Sequence, residues 1–321
     1  MAMTKQEKLD AKAERAYARK HKRKYRLTVG DVIFSILDYA FFGIFTLSCI
    51  FPFYYLFINT ISDRNLVAAG QITLYPKKLT LINYIDIMNA GEIFQAFEVT
   101  VARTILGTVL MVAATGLIGY LVTKQEMWHR KFWYRFIIIT MYFNAGIIPW
   151  YLNMQMFGLT GNFLAYIIPG IVAPYNMILV KTYIESIPGE LEESALIDGA
   201  SYFTIFRKII WPLSKPILAT IAIFGAVGHW NSFTDSLILM QDTPKLYTLQ
   251  HLLYNYLNAS SNLGAQMGTS AAAGANLAQQ QLNAKVMKYT VSMVSIIPIL
   301  LVYPFLMRYF EKGIMLGAVK G

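Results

Sequence analysis

The sequence predicts an all-α protein that crosses a membrane six times, and three observations carry that prediction: composition, the length of the apolar runs, and where the cations fall. Of the 321 residues, 56% are hydrophobic and only 14% charged, with a mean hydropathy of +0.44, a balance foreign to an ordinary soluble domain. Six apolar runs reach the roughly 20 residues that a helix needs to cross about 30 Å of hydrocarbon. Ten of the 28 Lys and Arg lie before residue 27. The formal net charge of +10 therefore belongs largely to one tail, and a nucleic-acid partner is not indicated.

The first run is Tyr39 to Ile61, preceded by a basic tail over residues 1–30. The apolar run exceeds the h-region of a secretory signal, so the reading is a retained anchor. Lys20 to Arg26 reads either as a solvated flank or as a contact for anionic headgroups. Residues 31–321 form the expected membrane domain, continuing through spans at Thr100 to Val122, Tyr134 to Met154, Phe163 to Tyr183, Pro216 to Met240 and Val286 to Phe310. Pro149, Pro169, Pro174 and Pro298 interrupt them, which packed membrane helices tolerate and which predicts kinks. Cys49, the single cysteine, lies within an apolar run, so neither a disulfide nor a thiolate metal cluster forms within one chain.

Lys and Arg orient these spans. The tail, the connection with Lys124, Arg130 and Lys131, the next with Lys181, Arg207, Lys208 and Lys215, and the end with Arg308, Lys312 and Lys320 all fall on one side. The opposite connections carry Arg64, Lys77 and Lys78, then none near Phe157 to Gly161, then Lys245 and Lys285. Both termini are expected in the cytoplasm. Asp38 and Arg103, near span ends, are expected to snorkel to the headgroups.

The polar connection at about residues 184–212 is the most specific segment. Pro188 suits a first helical turn, and Glu190, Glu192 and Glu193 complement the positive end of the helix dipole. Ile187, Leu191 and Ala195 form an apolar stripe at four-residue spacing, with small Ser194 and Ala195 allowing close approach. Gly199 is placed to end the helix after Asp198 in the left-handed conformation. Ser201 is a candidate N-cap for a second helix through Phe203, Phe206 and Ile210, ending before Pro212.

Glu193-Ser194-Ala195, then Gly199, then Ile209-Ile210-Trp211-Pro212 resembles the EAA loop of ABC-importer permeases, with Ser194 in place of the middle alanine and Trp211 in place of a leucine. The resemblance extends to Asp63 through Leu79, Ala145-Gly146-Ile147-Ile148-Pro149, His229-Trp230-Asn231-Ser232, Tyr303-Pro304-Phe305 and Lys312 through Gly321. Over most of the chain it is similar to the YtcP-type carbohydrate permeases. The resemblance implies a type I ABC-importer fold in a bacterial cytoplasmic membrane and a passage for an oligosaccharide. It also implies a second, different permease subunit, two ATPase subunits and an extracytoplasmic solute-binding protein. The docking roles it implies fall on Glu190, Glu193, Ser194, Ala195, Asp198, Gly199, Ile209 and Pro212. Independently of the resemblance, no Gly-Lys dipeptide occurs, so the phosphate-cradling GxxxxGK[ST] loop is missing and ATP with its Mg would be bound by a partner, leaving this chain without a cofactor.

Substrate contacts are sought among polar and aromatic residues within spans, where polarity is costly and faces a cavity or a neighbouring helix. Asn144, Tyr151, Asn153, Asn176, His229, Trp230, Asn231 and Asp235 are the candidates; interhelical hydrogen bonds and interface-belt packing are the competing readings. His229, Trp230 and Asn231 stand out as three polar-capable neighbours. The loop from about residue 241 to 285 is expected outside, and its Ala/Gly/Ser/Asn/Gln-rich part, Asn258 to Gln281, reads as flexible or as ordered by the binding protein. No HExxH or GxSxG pattern supports an enzyme. An ion-coupled secondary transporter and a non-sugar ABC permease stay open as alternatives.

Overall fold

The computed structural model describes residues 28–89, 91–267 and 284–304. The basic tail including Lys20 to Arg26, residues 268–283 of the loop expected outside, and everything after Pro304, including the end of the expected sixth span, lie outside the described residues. All regular structure among the described residues is helical. Three helices are long and apolar enough to cross a membrane, and two bent pairs pass the same test together.

The chain divides into two compact units, the first ending at Tyr54. What is described of that unit is the first part of α1 (Val29–Thr60). Thr28 and Asp31 cap it reciprocally: Asp31 Oδ2 accepts from Thr28 N at 2.8 Å, and Thr28 Oγ1 accepts from Asp31 N at 3.3 Å, satisfying donors the first turn leaves open.

The second unit begins at Tyr55, within the last turns of α1. Two short helices follow, α2 (Arg64–Ala68) and α3 (Ile82–Asn89). Asp63 Oδ1 caps α2 through Asn65 N, and Asn83 Nδ2 donates to the carbonyls of Thr60 and Ser62, closing the end of α1. The central element is α4 (Glu92–Leu121). α5 (Arg130–Tyr142) and α6 (Ile147–Met156) come next. After 3-10 turns at Phe163–Tyr166 and Ile168–Gly170 the chain enters α7 (Pro174–Ile184), then α8 (Glu190–Ile197), α9 (Tyr202–Leu213) and α10 (Lys215–Asn231). α11 (Thr234–Leu239), α12 (Leu249–Met267) and α13 (Ala284–Pro304) complete the described chain.

Small residues let the helices around α4 approach. Gly107 receives the His229 ring of α10, Gly116 receives Trp211, Gly119 receives Val180 of α7, and Gly225 of α10 receives Met111. A Cβ at these positions would lie 2.4 Å from His229 Nε2, 2.9 Å from Trp211 Cζ3, 2.7 Å from Val180 Cγ1 and 2.5 Å from Met111 Cε. Where lipid is as apolar as the side chains, van der Waals fit of this kind holds helices together.

Several expected boundaries are corrected. The third span is two helices: Phe143 is extended and Gly146 has φ +92°, so the backbone breaks between α5 and α6. The fourth is bent by 45° between its 3-10 part and α7, as Pro169 and Pro174 suggest. The fifth stops at Asn231, since Ser232 is extended, and resumes only as α11. The loop over about 241–285 is partly ordered, because α12 runs through Asn258 to Met267; Leu249 and Leu252 bury against Ala96 and Ile93 of α4, which supplies the apolar surface the Ala/Ser-rich part lacks.

Candidate functional site

The acidic connection folds as a helix, a tight reversal and a second helix. α8 starts at Glu190, not at Pro188, which sits just before the N-cap Gly189. Its end is a Schellman motif: Gly199 takes φ +78°, its N–H bonds Leu196 O at 3.0 Å, and Ala200 N–H bonds Ala195 O at 2.9 Å. Gly is favoured there because a Cβ costs roughly 1–2 kcal/mol in that conformation. Ser201 caps α9 as expected, accepting from Thr204 N at 3.4 Å. α9 then widens into one π turn over Phe206–Ile210 and continues through Pro212 to Leu213 rather than stopping before the proline. Pro212 has no N–H to offer the Lys208 carbonyl, so the wider turn costs no bond the sequence could have made.

This knob is anchored on one face and open on the other. Ile205, Phe206 and Ile210 are buried with Tyr120 of α4 and Val180 and Ile184 of α7; Ile187, Ala195, Ala200, Ile209 and Trp211 pack on that cluster. Trp211 fills the space over Gly116, which explains a bulky residue at this position. Glu190, Glu193, Ser194, Asp198, Gly199 and Pro212 are exposed. Leu191 departs from the expected stripe and is 42% exposed, because it helps line a groove of about 460 Å³ with Ser194, Ala195, Asp198, Lys208, Ile209, Pro212 and Leu213. Of the three acids in the first turn, Glu192 is held internally: it pairs with Lys124 just beyond α4, whose ammonium stands 4.4 Å from the centre of the Tyr120 ring. That leaves Glu190 and Glu193 facing outward.

A second polar site lies farther along α4. Arg103 is 2% exposed, buried rather than snorkelling. It forms a two-pronged pair with Asp235, Nη2 to Oδ2 at 2.5 Å and Nη1 to Oδ1 at 3.2 Å, also donates to Ser232 O at 3.2 Å, and lies 4.4 Å from the Tyr166 ring centre. Asp235 Oδ1 further accepts from Ser232 Oγ at 3.0 Å and Ser236 N at 2.9 Å. Ser236 Oγ lies 2.9 Å from both the Tyr166 hydroxyl and His251 Nδ1. Partners of this kind are what a buried charge pair requires, and only Arg103 Nε is left buried without one among the guanidinium nitrogens. Burial pushes the His251 imidazole below its ordinary value.

The substrate candidates do not converge. His229 packs on Gly107, Trp230 Nε1 donates to Ser295 O at 3.1 Å, and Asn231 Nδ2 donates back to Val227 O at 3.0 Å. Successive helical residues point about 100° apart, so sequence neighbours here are not spatial partners. Asn144 Oδ1 caps Gly146 N at 2.9 Å, Asn176 Nδ2 reaches Met111 Sδ at 3.5 Å, Tyr151 packs beside the cluster containing Leu159 and Tyr166, and Asn153 is exposed. Asp235 joins the Arg103 network, and Asn231 Oδ1 accepts from Gln250 Nε2 at 3.5 Å. Arg103, Tyr166, Ser236 and His251 were absent from the expected set, although an arginine inside an apolar run is itself a signal of an interior partner.

Residues 114–316 match the family described as binding-protein-dependent transport system inner membrane component. The chain is 32% identical over 289 residues to the polygalacturonan/rhamnogalacturonan transport system permease protein YtcP of Bacillus subtilis (strain 168), covering 90% of this chain and 99% of that one. It is 28% identical to the arabinooligosaccharides transport system permease protein AraQ of Halalkalibacterium halodurans, covering 87% and 94%. A solved bacterial ABC transporter involved in the import of the acidic polysaccharide alginate has a chain that matches with a TM-score of 0.75 at 29% identity, over 88% of this chain and 98% of that chain. With its apolar helices and a family match running through α8 and α9, the chain belongs to the binding-protein-dependent transport system inner membrane components and is a transport permease subunit, not an enzyme.

Proposed function

We propose that this chain is one of two different membrane subunits of an ATP-driven importer of an oligosaccharide, and that α8, Gly199 and the start of α9 dock in a separate ATPase. The carrying observation is the asymmetry of the knob: Ala195 and Ile209 tie it to α4 and α7, while Glu190, Glu193, Ser194, Asp198 and Gly199 remain free. A partner that pushes on the free face moves helices through the packed face. Glu193 and Glu190 offer charge to a basic cleft, Ser194 and Ala195 permit close backbone approach, and Pro212 with Ile209 closes the groove. Two ATPase subunits would supply ATP and Mg, and an extracytoplasmic binding protein would deliver the sugar. In this arrangement both termini and the knob lie in the cytoplasm, in line with the cation placement. The names of the relatives support an oligosaccharide as the cargo.

The test is Gly199→Asp. The expected outcome is loss of ATPase co-purification and of sugar-stimulated ATP turnover, with the chain still inserted; unchanged values for both would remove the docking assignment.

A further inference from the structure

A cavity of about 800 Å³ opens at the start of α5, beside the Lys124 end of α4, lined by His129, Arg130, Lys131, Arg135, Phe132 and Phe136 among others. No acidic residue lines it, and none of the three cations Arg130, Lys131 and Arg135 pairs with a carboxylate among the described residues. Lys131 and Arg135 stand four residues apart on one helix face, where like charges repel. Arg130 and Lys131 occupy the first turn, at the positive end of the helix dipole, where cations are least favoured. Arg130 is held in place, since Nη1 donates to Thr123 O at 2.9 Å, leaving its other N–H groups for a ligand. A bound anion would relieve each of these costs.

The apolar lining points to the kind of anion. Phe132 and Phe136 are 59% and 51% exposed and stack at 6.2 Å. Ile139, 64% exposed, continues their stripe at i, i+4, i+7 along α5. Cations at the mouth of an apolar stripe two turns long match an amphiphile with an anionic head. We propose that the cavity binds an anionic phospholipid, its phosphate on Arg130, Lys131 and Arg135 and one acyl chain along Phe132, Phe136 and Ile139. The site is independent of the import reading.

The full chain is reconstituted in nanodiscs of phosphatidylcholine with or without phosphatidylglycerol, and the lipid it retains is counted by native mass spectrometry. The wild type is expected to retain phosphatidylglycerol preferentially. Arg130→Gln/Lys131→Gln/Arg135→Gln is expected to abolish the preference, each cation accounting for about fivefold, and Arg135→Gln alone, the milder change, to reduce it by about that factor. Lys77→Gln/Lys78→Gln/Lys245→Gln removes the same charge elsewhere and should keep the preference. Undiminished retention in the cation variants, or equal loss in the control, overturns the site. Full displacement by inorganic phosphate would show a free-anion site instead, and retention blocked by a co-purifying acidic subunit would show a protein contact.

Discussion

Two ion pairs engage the α4 region, and they are built differently. Arg103–Asp235 is buried, two-pronged and surrounded by further donors and acceptors; Lys124–Glu192 is a single contact with side chains 14% and 21% exposed. About 30 Å of helical rise separates Arg103 from Lys124, close to the thickness of a bilayer core. The first pair knits α4 to the segment after α10 and cannot shift without stranding a charge. The second ties the end of α4 to the knob through one ammonium and a ring, with fewer partners than the first. The middle of α4 is thus tied by a buried, two-pronged pair, and its C-terminal end by a single contact.

The sharpest break of this comparison is Asp235→Ala. It leaves the Arg103 guanidinium buried without its partner, an expected cost of about 3–5 kcal/mol, read as a large fall in thermal stability of the detergent-solubilised chain. Lys124→Ala should lower the same midpoint less, by about 1–3 kcal/mol, since Glu192 is left without its partner but keeps part of its side chain in solvent. Equal effects would erase the distinction. Gly107→Ala tests the packing between the two pairs. The added methyl meets the His229 ring at 2.4 Å, so a loss of about 1–3 kcal/mol is expected, and His229→Ala in the same chain should recover part of it; no recovery would mean the ring is not what Gly107 accommodates.

The smallest effect concerns pH. His251 is buried in the Arg103–Asp235 neighbourhood and its pKa is lowered by burial, so the unfolded chain takes up that proton first. Stability is then full above the free-imidazole value of about 6.5 and falls as pH drops below it. The thermal midpoint of the wild type should decline more between pH 7.5 and 5 than that of His251→Gln, by roughly the part of the slope one proton contributes; parallel profiles would contradict it.

The helical class, Gly199 as a left-handed stop and Ser201 as a cap were legible because each depends on neighbours within a few residues. The spans around Tyr134 to Met154 and Pro216 to Met240 were legible as apolar but not as broken, since hydropathy does not register a φ of +92° at Gly146 or the extended Ser232. Arg103 was misplaced because its partner lies 132 residues away in the chain, and a charge near a span end reads as snorkelling until that partner is known. His229, Trp230 and Asn231 are adjacent in sequence, yet their side chains meet Gly107, Ser295 and Val227 respectively. Glu192 likewise looks equivalent to Glu190 and Glu193 until Lys124 claims it.

That last distinction gives the most direct test of the coupling account. A photo-crosslinking residue replacing Glu193, which faces outward, should form an adduct with a co-expressed ATPase subunit, whereas the same residue at Glu192, turned toward Lys124, should form adducts within the chain. ATPase adducts from position 192 but not 193, or from neither, would contradict the account.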